Sequence, residues 1–174
     1  PDKALDLGRS SLLDASGVGL AGSASKGAAA LNGVLSAYAT EDGCPVIGSD
    51  LKLPAPFAAM ANGNTVHADD FDDTLRADPL AKGYHGATHP TGPLLSALLS
   101  LTHTRKTSGK EFLIAYHVGV EFMAKINSAL GPRSFASGFH PTAIMSAFGA
   151  TAAAAKLKGL DEETLATSIG ICAS

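Results

Sequence analysis

The stretch from Ser108 to Leu130 reads SGKEFLIAYHVGVEFMAKINSAL, and it decides the fold class. It opens with the pattern S-x-x-E, a capping box in which Ser108 and Glu111 bond the first free amides of a helix. Behind the box, small and apolar side chains recur every three or four residues, at Phe112, Ala115, Tyr116, Gly119, Val120 and Met123. This period of 3.6 residues predicts a long helix with one face packed in a core.

Helical periodicity extends over most of the remaining chain. It predicts helices over residues 2–22, 26–39, 56–74, 93–105 and 141–158, and a last helix that begins at Asp161. Residues 75–92 contain several prolines and glycines and are predicted to form a long loop. Alternating strand patterns are nearly absent, with a short extended Val46-Ile47 at most. The predicted fold class is therefore all-α.

Length and composition indicate one globular domain with a real core. The chain has 174 residues, of which 45% are hydrophobic and 17% charged, and its formal net charge is −3. Because no basic stripe and no apolar run of about 20 residues occurs, we expect neither a nucleic-acid nor a membrane partner. The two cysteines, Cys44 and Cys172, are expected to be free core thiols of a cytoplasmic protein.

The last helical stripe bears on domain organisation. Leu165, Ile169 and Cys172 follow helical spacing, and no glycine cap or proline comes after them before Ser174. We therefore expect that residues 1–174 are part of a longer helical domain.

The most charged segment is HADDFDDT, residues 67–74, with four aspartates among five positions. On a helix over residues 56–74, His67, Asp70 and Thr74 fall on the apolar face, whereas Asp69 and Asp72 point to the opposite side. Burial raises a carboxyl pKa and suits it to proton transfer, so Asp70 is the candidate acid or base. The alternative is a structural carboxylate that bonds nearby backbone amides at the helix end. The residues alone leave both interpretations open.

The tripeptide His-Pro-Thr occurs twice, at residues 89–91 and 140–142, each time just before an apolar helical run. Proline suits the first helical position, so His89 and His140 are predicted near helix N-termini. There the helix dipole favours a neutral imidazole, and free amides can bind an anion. A plain helix start is the simpler interpretation of one copy. Two copies together with Asp70 favour an acid–base site.

The acidic segment partly matches two kinds of metal site. Residues 69–73 fit the D-D-x-x-D pattern with which helical isoprenoid synthases bind magnesium diphosphate, but no second acidic motif follows. An EF-hand is excluded because Leu75 stands where that loop requires glycine. We therefore expect no metal.

Taken together, these segments resemble the MmgE/PrpD family, which includes 2-methylcitrate dehydratase, cis-aconitate decarboxylase and iminodisuccinate epimerase. The resemblance covers almost the whole chain. The matching segments are Leu12-Leu13-Asp14 with Gly17 and Gly22, Ala61-Asn62-Gly63, residues 67–74, both His-Pro-Thr motifs, Phe148-Gly149-Ala150, Gly159-Leu160-Asp161 and residues 168–174.

The resemblance implies a large helical domain with a smaller lid domain, usually in a homodimer. It also implies cofactor-independent chemistry on small di- or tricarboxylates. Asp70, His89 and His140 would be the acid–base and carboxylate-binding groups, and Thr74 a hydrogen-bonding neighbour, with His67 beside Asp70. An active-site lysine segment and the lid would lie beyond Ser174. We therefore expect little or no activity from these 174 residues alone.

The predicted function is a dehydratase or decarboxylase acting on a substrate such as 2-methylcitrate or cis-aconitate. Arg76, Lys82 and Arg133 are candidate helpers in binding the substrate carboxylates. One alternative is epimerisation of an imino- or amino-dicarboxylate, with His89 and His140 on two faces of one carbon. A second alternative is a non-catalytic helical assembly module.

Overall fold

The computed structural model describes residues 2–76, 87–130 and 133–174, and these ranges are predominantly helical. The all-α prediction is therefore confirmed. The helices are α1 (Asp2–Gly22), α2 (Lys26–Leu35), α3 (Ala55–Val66), α4 (Thr91–Thr104), α5 (Gly109–Leu130), α6 (Arg133–Ala136), α7 (Pro141–Lys158) and α8 (Glu162–Cys172). Two short antiparallel pairs join β1 (Cys44–Pro45) to β2 (Lys52–Leu53) and β3 (Leu75–Arg76) to β4 (Ala87–Thr88).

The main core lies between α4, α5 and α7. Its buried members are Leu94, Leu98, Ala115, Tyr116, Met123, Met145, Ala153 and Leu157. Helices α5 and α7 approach closely where Gly119 faces Gly149. A Cβ atom added to Gly119 would lie 2.9 Å from the Gly149 carbonyl oxygen, so no side chain fits there. The small residues of the predicted helical stripe thus set the distance between the two longest helices of this core.

Helix α3 connects the main core to the N-terminal helices. Val66 packs with Ala15 of α1 and Leu95 of α4 in a second buried cluster. Its buried Asn62 side chain accepts a hydrogen bond from the Ile47 amide and donates to the Pro45 carbonyl. Consequently α3 is fixed on both sides, and its C-terminal end is presented at a defined place beside α4.

Most predicted helix boundaries agree with the structure. The Ser108 hydroxyl accepts from the Glu111 amide, and the Glu111 carboxylate accepts from the Ser108 amide, which confirms the capping box. Asp161 caps α8 by accepting from the Thr164 amide, also as predicted. The predicted helix 26–39 ends at Leu35 and continues as a 3-10 turn, Ser36–Tyr38. The short strand lies at Cys44–Pro45 rather than at Val46-Ile47.

The predicted helix over residues 56–74 is wrong in its last third. Helix α3 ends at Val66, His67 is its C-cap, and Asp70 adopts a left-handed backbone with φ of 56°. Carboxylates at the C-terminal end of a helix oppose its dipole, and aspartate tolerates the left-handed region. The aspartates therefore form a turn and not a further helical turn.

Within the described ranges, no helix is both long enough and apolar enough to cross a membrane. Cys44 is buried and Cys172 half-buried, and both are free thiols, as expected.

Candidate active site

The acidic turn exposes one aspartate and buries another, which reverses the predicted arrangement. The Asp70 side chain is 78% exposed, whereas the Asp72 side chain is fully buried. The sequence prediction put Asp70 on the apolar face and Asp72 on the opposite side, because it took the helix to continue to residue 74. The turn after Val66 instead folds Asp72 back beneath the end of α3.

Buried Asp72 contacts two imidazoles through one oxygen. Its Oδ1 atom lies 2.8 Å from His67 Nδ1 and 3.3 Å from His89 Nδ1. The two rings are 4.8 Å apart between centroids. His67 was predicted to lie on the Asp70 face, as a substrate-binding residue or one that orients Asp70. In the structure its Nδ1 atom contacts Asp72, and its role in substrate binding stays a prediction.

Asp70 reaches the same group from the solvent side. Its Oδ1 atom lies 3.5 Å from His89 Nε2, the ring nitrogen opposite the one that faces Asp72. The His89 side chain is only 15% exposed. An exposed carboxyl beside a nearly buried imidazole is an arrangement that can pass a proton between the two groups.

Asp73 anchors the turn to the first His-Pro-Thr motif. Its two carboxylate oxygens accept from the Thr91 amide at 3.1 Å and the Thr91 hydroxyl at 2.6 Å. The Thr91 hydroxyl also lies 2.7 Å from the Tyr116 hydroxyl in the core. Burial raises the pKa of Asp73, and the hydrogen bonds from Thr91 oppose that rise. Burial likewise raises the pKa of Tyr116.

The second His-Pro-Thr motif joins the first across 53 residues of sequence. The Thr142 hydroxyl accepts a hydrogen bond from the His89 backbone amide at 3.1 Å. His140 is the N-cap of α7, as predicted, and its ring stacks with His67 at 6.2 Å between centroids. His89 stands one residue before the N-cap of α4, which is Pro90. The structure therefore brings both histidines to His67.

A cavity of about 450 Å³ opens beside these rings. His67 and His140 line it together with Thr142 and Ser96, and alanines, Met60 and Pro93 supply most of the remaining wall. The volume lies in the range of small-molecule sites, and the lining is apolar with a few polar groups, as is usual for such sites.

Some predicted site residues lie elsewhere. Thr74 is exposed, so its predicted position on a shared apolar face with Asp70 is wrong. Lys82 lies outside the described residues, as do the side chains of Arg76 and Arg133.

Sequence reasoning missed Asp72, Asp73, Thr91 and Thr142 as residues that build the site. One signal was available for the threonines, because both His-Pro motifs carry threonine at the same place. The aspartates were misassigned because their partners lie up to 18 residues further along the chain. No local periodicity contains that information.

The site also contains metal-binding residue types. His67, Asp70, Asp72 and His89 each offer a ligand atom, and these atoms lie within 4.8 Å of one another. Imidazole and carboxylate suit transition metals. The Asp72 Oδ1 atom contacts both imidazoles, whereas Oδ2 is buried without a hydrogen-bond partner among the described residues. The expectation of no metal stays a prediction.

Comparisons with known proteins agree with these features. The family model of the MmgE/PrpD N-terminal domain matches residues 1–174. Cis-aconitate decarboxylase of Homo sapiens is 30% identical over 179 residues, covering 99% of this chain and 35% of that protein. The Mus musculus enzyme of the same name is 31% identical, covering 94% of this chain and 33% of that protein.

A fungal relative gives a similar picture. The cis-aconitate decarboxylase-like protein oryM of Aspergillus oryzae is 29% identical, covering 98% of this chain and 36% of that protein. The chain thus spans about a third of the length of the curated relatives it matches.

Proposed function

Because the chain belongs to the MmgE/PrpD family, we propose that the full-length protein is a lyase that acts on a small di- or tricarboxylate by proton transfer, without a cofactor. Cis-aconitate is the first candidate substrate, since the human and mouse relatives are named for its decarboxylation. We further propose that the protein works as a homodimer in the cytoplasm.

The observation that carries this proposal is the convergence of Asp70, His89 and His140 on His67. The separations are 3.5 Å from Asp70 to His89, 4.8 Å between the rings of His89 and His67, and 6.2 Å between the rings of His67 and His140. Three segments distant in sequence thus place four proton-carrying groups in one cluster, and two of them, His67 and His140, line the cavity. Chemistry at a carbon beside a carboxylate needs such groups.

Decarboxylation requires one proton to be delivered to carbon. When the C–C bond to a carboxylate breaks, carbon dioxide leaves and its electron pair stays on the remaining carbon skeleton. A neighbouring acid must then supply a proton to that carbon. Asp70 and His89 together can store and deliver it, whereas dehydration would use the same groups to remove a carbon-bound proton and to protonate the departing hydroxyl.

The substrate carboxylates need a separate binding position, because the acidic turn repels them. The N-terminus of α4 already binds an anion, since the Thr91 amide donates to Asp73. The N-terminus of α7 is different, because its N-cap His140 forms no side-chain capping bond and lines the cavity. We therefore propose that one substrate carboxylate binds at the start of α7 beside His140.

The test is turnover by the purified full-length protein of cis-aconitate, 2-methylcitrate and iminodisuccinate, with products identified by NMR and chiral chromatography. We expect lyase activity on one of the first two, retained after dialysis against a chelator. Interconversion of iminodisuccinate enantiomers alone would replace the lyase by an epimerase. Activity that is lost on chelation and restored by a metal would contradict the cofactor-independent chemistry.

A non-catalytic role is tested by the same panel. A folded full-length protein that turns over none of the three substrates would favour a helical assembly module. Residues 1–174 alone are expected to be inactive, since they span about a third of the relatives' length.

A further inference from the structure

We propose that Asp72 is a positioning residue that fixes both His67 and His89 as Nδ1–H tautomers, and thereby frees both Nε2 atoms for proton transfer. The catalytic consequence of this inference rests on the proposed function. The tautomer assignment does not, because it follows from hydrogen-bond chemistry alone.

The assignment for His89 follows from the two atoms that its Nδ1 faces. These are the Asp72 carboxylate oxygen at 3.3 Å and the Asp72 backbone carbonyl oxygen at 3.2 Å. An ionised carboxylate and a carbonyl can only accept hydrogen bonds, so the nitrogen between them must carry the proton. In the neutral ring, Nε2 is then the basic nitrogen, and because it lies 3.5 Å from Asp70 Oδ1, a proton between these two atoms is carried either by the Asp70 carboxyl group or by the ring as an imidazolium.

His67 is held in the same way. Its Nδ1 atom lies 2.8 Å from the same Asp72 oxygen, a short and favourable hydrogen-bond distance. Its ring lines the cavity. Asp72 therefore sets the tautomer of two imidazoles from different segments of the chain, that of His67 through its carboxylate and that of His89 through its backbone carbonyl.

The surroundings of Asp72 favour this role of positioning the two imidazoles. Its side chain is fully buried, and the described part of the chain contains no lysine or arginine in an ion pair with it. The second oxygen, Oδ2, is buried without a hydrogen-bond partner among the described residues. A buried carboxylate without such partners is costly, so the hydrogen bond from His67, with the His89 ring 3.3 Å away, is its main compensation. This orientation of an imidazole by a buried aspartate is the arrangement known from catalytic triads.

The first test needs no substitution. In full-length protein with 15N-labelled histidine, two-bond 1H–15N spectra distinguish the tautomers at a pH well above the ordinary histidine range. The signals of His67 and His89 are assigned with the variants His67→Gln and His89→Gln. We expect both rings as Nδ1–H tautomers, and an Nε2–H tautomer for either ring in the wild type would overturn the inference.

The second test removes the acceptor with Asp72→Ala and uses Asp69→Ala as a matched control, because Asp69 is an exposed aspartate of the same turn. In Asp72→Ala we expect His67 to change tautomer because it loses its acceptor, whereas His89 keeps the backbone carbonyl of residue 72 and its Nδ1–H tautomer. We also expect kcat to fall by about 10²-fold or more, the usual contribution of a positioned acid or base, with KM changed by less than about threefold. The control should keep the wild-type tautomers and kcat.

The outcomes separate the two proposals. A fall in kcat with unchanged tautomers in Asp72→Ala would overturn the positioning role and leave Asp72 merely structural. Tautomers that depend on Asp72 in a protein that turns over no carboxylate would support the positioning role and refute the proposed function.

Discussion

Substitution of Thr91 by valine tests the hydrogen-bonded connection between the acidic turn and the core. Valine keeps the shape of the fully buried threonine and leaves its amide bond to Asp73 in place. It removes the hydroxyl, which donates to the Asp73 carboxylate and accepts from Tyr116. The direction of these bonds is fixed because the carboxylate can only accept.

The expected cost follows from the groups that lose their partners. Thr91→Val leaves a half-buried carboxylate oxygen without its donor and removes one of the two hydroxyl partners of Tyr116, the other being Ser11. A buried group without its partner costs about 1–3 kcal/mol, and more when it is charged, so the free energy of unfolding should fall by about 2–3 kcal/mol. The comparison variant Tyr116→Phe leaves the bond from Thr91 to Asp73 intact, and it should cost about 1 kcal/mol.

The pH dependence gives a second signature. Burial raises the pKa of Asp73, and the Thr91 hydroxyl opposes that rise, so the pKa is higher still in folded Thr91→Val. The folded variant then holds its proton to higher pH than the wild type. Because stability falls with pH wherever the folded state binds more protons, the deficit of the variant should grow as the pH rises above the ordinary aspartate range.

Urea denaturation followed by circular dichroism measures both effects. The expected order is a larger loss for Thr91→Val than for Tyr116→Phe, with only the former increasing with pH. A Thr91→Val protein no less stable than Tyr116→Phe, or with a deficit that shrinks as the pH rises, would refute the reasoning.

Three further predictions concern the site and the core. Asp70→Asn should lower kcat by about 10²-fold or more, and wild-type turnover would refute the acid–base role of Asp70. Its free energy of unfolding should stay within about 0.5 kcal/mol of the wild type, because the side chain is 78% exposed and asparagine tolerates the left-handed backbone. His140→Ala should weaken dicarboxylate binding about tenfold in calorimetry, whereas His103→Ala, a control at an exposed histidine, should bind like the wild type. Equal affinities of His140→Ala and the wild type would exclude the proposed carboxylate position. Gly119→Ala should lower the free energy of unfolding, measured by thermal denaturation, by about 1–3 kcal/mol, because an α7 carbonyl oxygen lies 2.9 Å from the added carbon. Gly17→Ala adds its carbon in open space and should raise the free energy of unfolding by up to about 1 kcal/mol, and the reverse order would contradict the packing.

The helices could be predicted from the sequence because their signals are local. The capping box at Ser108, the N-cap at Asp161 and the stripe along α5 each lie within a few turns of helix. Hydrophobic periodicity therefore sufficed for the fold class and for most helix ends.

The interior of the site could not be predicted in the same way. The acidic residues continue a helical pattern in the sequence, but α3 ends at Val66. Negative charge disfavours a further turn there, and Asp72 and Asp73 instead contact His89 and Thr91, which lie 17 and 18 residues further along the chain. The tertiary partners thus override the local pattern. His89 and His140 were singled out by a repeated motif and a family resemblance, which carry information that no single segment holds. Both rings lie near His67, and their roles in catalysis stay a prediction.

The hydrogen bond from the His89 amide to the Thr142 hydroxyl has a consequence for how the site opens and closes. Its donor belongs to the segment before α4 and its acceptor to the first turn of α7, so the bond exists only while α7 is docked. Solvent exchange of this amide proton should therefore report detachment of α7 directly, and each detachment separates His140 from its partners. Local unfolding of α7 alone would then separate His140 from His67 and disrupt the candidate site, while the rest of the fold stays intact.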